Sequence, residues 1–134
     1  MEFNYVNMVI YYLLDWLETL YPKGQRINVN VMNGFQAVEG MTGQGFGAYV
    51  NGGGVSGPTI LIAGEVPPEI VEADEKAEFF CKVFLHEFKH HLQYMESHES
   101  VFAESAEDDA NAFAETEFPK FKAWLGEENF NWII

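Results

Sequence analysis

The residues able to do chemistry gather in one short run, "KVFLHEFKHHLQY", residues 82–94. It contains His86-Glu87-Phe88-Lys89-His90, an H-E-x-x-H pattern. On a helix each residue turns by about 100°, so His86 and His90 stand about 40° apart, one turn above each other. Two imidazoles so placed can bind one Zn²⁺ at about 2.0–2.1 Å each. Glu87 lies about 100° round from His86, outside the ligand row but within reach of a water on the metal. A carboxylate in that place is the general base of metal-assisted peptide hydrolysis. The same letters also suit a histidine-rich core helix, so a third ligand and a cleft must come from elsewhere in the chain.

The helix implied by this run has a clear inside. Phe80, Cys81, Phe84, Leu85, Phe88 and Leu92 cover one broad side. Glu78, Lys82, Lys89 and Gln93 cluster opposite and are expected to face water. His86 and His90 fall on the border, where a cleft would open. His91 turns toward the apolar side and reads as a buried, hydrogen-bonded core histidine. Cys81 lies on that side too, where a free thiol is usually inert.

A catalytic zinc takes three protein ligands and a water. Downstream stands "AESAEDDANAFAE", residues 103–115, in which Ala103, Ala106, Ala110 and Ala114 form a stripe of small side chains. Such a stripe lets another helix approach closely, and the natural partner is the helix of His86 and His90. Glu107 lies about 20° from the edge of the stripe, so it points toward that partner and is the expected third ligand. Glu104, about 60° away, is the other candidate. A solvated acidic face with an alanine packing seam explains these letters equally well, and covers Asp109, Glu115 and Glu117 besides.

"HEFKH" followed by "EDDANAFA" resembles the gluzincin metallopeptidases, and the E-x-x-A-N-x-F-A form is similar to the minigluzincins and to short peptidases of mobile genetic elements. The likeness covers roughly residues 58–118. It implies His86, His90 and Glu107 as zinc ligands and Glu87 as the base. It also implies Asn111 as a hydrogen-bond partner that fixes the tautomer of the first histidine. The fold it implies is a small twisted sheet above the active-site helix, with an edge strand that binds substrate in extended form. That strand lies within 46–51 or 59–63. The mobile-element peptidases often carry a separate DNA-binding domain, for which this chain has no room.

The oxyanion of such a reaction needs a further donor. Tyr94, one turn beyond His90, and His98, in the loop after the helix, are the candidates. The glycine-rich "GMTGQGFGAYVNGGG" is either a flap over the cleft or a set of hairpin turns. It lacks the G-K-[ST] ending of a phosphate loop.

These residues need elements to position them. Residues 4–20 carry Val6, Val9, Ile10, Leu13, Leu17 and Leu20 at helical spacing. Pro22 and Gly24 stop that helix. "RINVNVM", residues 26–32, alternates as a half-buried strand does. "GFGAYV" can be a strand, and "PTILIAGE" is another whose continuous apolar run implies burial on both faces. Helices are expected over 69–96 and 100–117, with a short third one opened by Pro119 and ended by Gly126. The tail "NFNWII" either plugs the cleft or forms a last strip of core. The order gives a single α+β domain over 1–134: an N-terminal helix, a small twisted sheet, the helix of His86 and His90, and a second helix with the third ligand.

Composition narrows the function. The formal charge is −14, with only 7 Lys plus Arg. A phosphate backbone would repel such a surface, which speaks against nucleic-acid partners. No apolar run approaches membrane-span length, and neither a signal peptide nor an anchor is evident. Cys81 is the sole cysteine, so no internal disulfide forms, in keeping with a reducing cytoplasm. The expectation is a cytoplasmic zinc endopeptidase acting on peptide or protein substrates. The alternative is a catalytically inactive zinc-binding module used in protein assembly.

Overall fold

The apolar run at 59–63 takes the centre of the sheet, as burial on both faces requires. A computed structural model describes residues 3–22, 27–32, 46–51, 57–97, 104–127 and 129–130, without the side chains of 3–5, 97 and 104. In it β1 (Asn28–Met32), β2 (Gly47–Val50) and β3 (Thr59–Ala63) form a sheet of order β1-β3-β2. β3 runs parallel to β1 and antiparallel to β2. Four of its five residues are buried, on both faces. β1 keeps the alternation of its letters, with Asn28 and Asn30 exposed and Val29 and Val31 half-buried.

Three helices complete the architecture: α1 (Phe3–Leu20), α2 (Ala73–Ser97) and α3 (Glu104–Leu125). The fold is therefore α+β in the expected order. α1 buries Val6, Val9, Ile10, Leu13, Trp16 and Leu17. Leu20, expected in that stripe, is exposed at the helix end. α2 begins later than residue 69, because the Ile70 N–H donates to the Pro67 carbonyl and closes a turn first. Phe80, Cys81, Phe84, Leu85 and Phe88 form its core side, as their spacing implies. Among the described residues, no helix is long and apolar enough to cross a membrane.

One boundary needs correction. Pro119 does not open a new helix; α3 runs through it to Leu125. A proline inside a helix costs about 3 kcal/mol, since it removes a hydrogen bond and crowds the preceding turn. Here Pro119 and Glu115, whose carbonyl loses its donor, are both exposed, so solvent can take that oxygen. Phe118, Phe121 and Leu125 are buried on the other side. Each such burial contributes about 1.5–3 kcal/mol, so together they outweigh the proline.

Gly126 then ends α3 with a φ of 88°, a left-handed conformation natural to glycine. The chain turns once more, the Phe130 N–H donating to the Gly126 carbonyl at 2.8 Å. Phe130 is buried beside the Phe118 ring, so the start of the tail is core. Residues 131–134 lie outside the described residues.

Candidate metal centre

α2 and α3 pack along the alanine seam, where Ala110 and Ala114 are buried. Small side chains at the contact bring the two backbones close, and this carries Glu107 across to the histidines. The His90 Nε2 stands 2.8 Å from one Glu107 oxygen, and the His86 Nε2 stands 3.2 Å from the other. The two Nε2 atoms are 3.2 Å apart. Bonds of about 2.0–2.1 Å at tetrahedral angles would place donor atoms about 3.3 Å apart. The triad His86, His90 and Glu107 is thus close enough to hold one metal ion.

The donor set fits a cation on electrostatic grounds as well. The His90 Nδ1 lies 2.9 Å from the Gln93 Oε1, to which it donates. The other end of that amide, the Gln93 Nε2, donates to the Ala106 carbonyl at 3.0 Å. With Nδ1–H committed, a neutral His90 turns the lone pair of Nε2 toward the Glu107 carboxylate. Two acceptors face each other across 2.8 Å, and only a shared proton or a cation makes that favourable. His86 is held toward its neutral form, chiefly by burial and then by His90, against the opposing pull of Glu107 and Asn111. A metal requires the neutral ring. Asn111, expected to partner His86, is exposed and lines the same cavity as that ring, on which it acts electrostatically.

Gln93 is a correction. Its position opposite the apolar face implied a water-facing side chain, yet it is half-buried and bridges the two helices. The sequence does hold a signal for it: Gln93 is three residues from His90, a spacing at which helix side chains meet.

Glu87 sits beside the triad. One of its oxygens is 3.8 Å from the His86 Nε2, and the residue is only 8% exposed. Burial, reinforced by the charge of Glu107, pushes its carboxyl up to about 8. A cation at the triad acts in the opposite sense, favouring the carboxylate.

His86, Glu87 and Glu107 line a cavity of about 350 Å³ together with Phe46, Gly47 and Val83, while His90 is buried and outside its lining. Of the two candidate edges, β2 is the one that borders it; β3 is central. The Ala63 N–H donates to the Phe46 carbonyl at 2.8 Å. Antiparallel alternation then directs the backbone groups of Gly47 and Tyr49 away from β3, off the sheet's described edge. Gly47 is required by space. A Cβ there would come within 2.5 Å of Val83 and 3.3 Å of Glu87.

The remaining candidates fall elsewhere. Tyr94 is not among the cavity residues; its ring packs against Tyr49, 6.4 Å between centroids. His98 and residues 40–45 and 52–54 of the glycine-rich stretch lie outside the described residues, as does the side chain of Glu104. His91 is buried in the core and bonded to the Tyr49 hydroxyl at 2.9 Å, as its position implied. Cys81 is fully buried, and burial pushes its thiol up. No protein-family model, curated protein or solved structure matches the chain, so it is the convergence of His86, His90 and Glu107 that carries the site.

Proposed function

We propose that the chain is a zinc-dependent endopeptidase of the gluzincin type, acting on peptide or protein substrates. The observation that carries this reading is a buried carboxylate, Glu87, beside three converging donors, two of which, His86 and Glu107, line the same open cavity as Glu87. A purely structural metal site has no use for a base there.

His86, His90 and Glu107 would hold the ion. Zinc in that position supplies a Lewis acid that polarises a peptide carbonyl and acidifies a water. Glu87 accepts the proton from the attacking water and passes it to the leaving amine. Burial raises its proton affinity in the metal-free protein, and a cation at the triad would favour the carboxylate form that accepts the proton. The outward backbone groups of Gly47 and Tyr49 can pair with an extended substrate, laying its carbonyl along α2.

The test is Glu87→Gln assayed on a peptide library. The variant is expected to keep its zinc and lose about 10²–10⁴-fold in hydrolysis. His86→Ala is expected to lose the zinc itself. Retained zinc with no turnover in either protein would point instead to a zinc-binding module, and unchanged turnover in Glu87→Gln would overturn Glu87 as the base.

A further inference from the structure

We propose that Gln93 is a positioning residue of the metal centre: one amide sets the tautomer of His90 and ties that ring to the turn of α3 that carries Glu107. The proposal rests on the zinc reading of the triad and names the group that prepares it.

The atoms leave little freedom. A carboxamide has a donating end and an accepting end. The Ala106 carbonyl can only accept, so the Nε2 end must face it, at 3.0 Å. The Oε1 end is then turned to the His90 Nδ1, at 2.9 Å, which must carry the proton. His90 is 2% exposed, so water is poorly placed to replace this partner. The Nε2 lone pair is left in the ring plane, aimed at the Glu107 oxygen and the His86 Nε2.

Ala106 immediately precedes Glu107. The side chain that orients the second histidine therefore also fixes the backbone next to the third ligand. Asn111, on α3, lines the same cavity as His86 on α2. Orientation of ligands before the ion arrives lowers the ordering cost of binding it.

Two variants separate the two ends of the amide. Gln93→Met keeps the length and removes both hydrogen bonds. Gln93→Glu keeps an acceptor for the His90 Nδ1–H but puts an oxygen against the Ala106 carbonyl. The readouts are the His90 ring nitrogens by ¹⁵N NMR in metal-free protein, and the zinc Kd by chelator competition, with thermal melts to verify folding. Wild type and Gln93→Glu are expected to keep the His90 Nδ1 protonated, and Gln93→Met to lose that preference. Zinc affinity is expected to fall about 10- to 100-fold in Gln93→Met, and less in Gln93→Glu. A His90 whose Nδ1 is unprotonated in metal-free wild type overturns the proposal, as does a folded Gln93→Met with unchanged Nδ1 protonation and zinc affinity. Both readouts are independent of peptide hydrolysis, so a failure of the peptidase reading and a failure of this one are told apart.

Discussion

His90 and His91 are neighbours in sequence, both almost fully buried, and each has its Nδ1 in a hydrogen bond of 2.9 Å. They differ in what surrounds the rest of the ring. His90 faces α3, where its Nε2 meets Glu107 and His86. His91 faces the sheet, where its ring lies between those of Tyr49 and Phe88. Burial and one good hydrogen bond do not make a metal ligand; convergence with other donors does. A helix turns about 100° per residue, and that single step separates chemistry from packing.

The sharpest way to break this contrast is to truncate each ring. His90→Ala is expected to abolish stoichiometric zinc uptake, measured by metal analysis after gel filtration. His91→Ala is expected to keep the zinc but lose about 2–4 kcal/mol of stability in urea unfolding, through a cavity and a lost hydrogen bond. Zinc lost equally from both would dissolve the distinction.

A second prediction probes the charge on the cleft side. In metal-free protein Glu87 titrates near 8 rather than at its ordinary 4.5, because burial and then Glu107 disfavour its charge. The native state therefore holds this proton more tightly than the unfolded chain does. The resulting stability is fully present below about pH 4.5 and is lost as pH rises through about 8, by up to about 1.4 kcal/mol per pH unit. The difference in unfolding free energy between wild type and Glu87→Gln, followed from pH 4.5 to 8, reads it directly. Added zinc is expected to flatten that difference, since a cation favours the carboxylate. A flat difference without zinc would mean that Glu87 is far better solvated than its burial implies.

Smaller effects belong to the sheet side. Burial pushes the Tyr49 hydroxyl up to about 12, so it remains protonated and available to His91. Tyr49→Phe is expected to cost about 0.5–1.5 kcal/mol with zinc affinity preserved. Loss of zinc there would show that the two sides of α2 are coupled. The smallest expected effect is at Cys81, whose thiol burial holds protonated and covered. It should resist iodoacetamide at pH 8 in the folded protein and react once urea exposes it.

Much of this was legible in the letters because helices and strands have fixed periods. The core side of α2, the inward turn of His91 and the two-faced burial of β3 all follow from counting residues. Glu107 was reachable through the alanine seam beside it. Leu20, Pro119 and Gln93 were misread for a common reason. Periodicity says which face a residue occupies but not what lies opposite that face. Leu20 points where a core residue should, but α1 ends there and leaves it 48% exposed. Pro119 breaks a helix in isolation, yet buried Phe118, Phe121 and Leu125 hold this one together. Gln93 is a solvent residue on a lone helix and a bridge once α3 supplies the Ala106 carbonyl.

The sequence by itself determined the donors: two histidines one turn apart, a carboxylate between them, and an acid beside a stripe of small residues. Their side-chain types and helical spacing settle that much, since both are local properties. Only the tertiary structure decided that the Glu107 oxygens reach 2.8 and 3.2 Å from the imidazole nitrogens, that β2 rather than β3 borders the cavity, and that Gln93 is a partner of His90. Each depends on the distance and angle between separate elements. Packing of the whole core fixes those, and no local period encodes them.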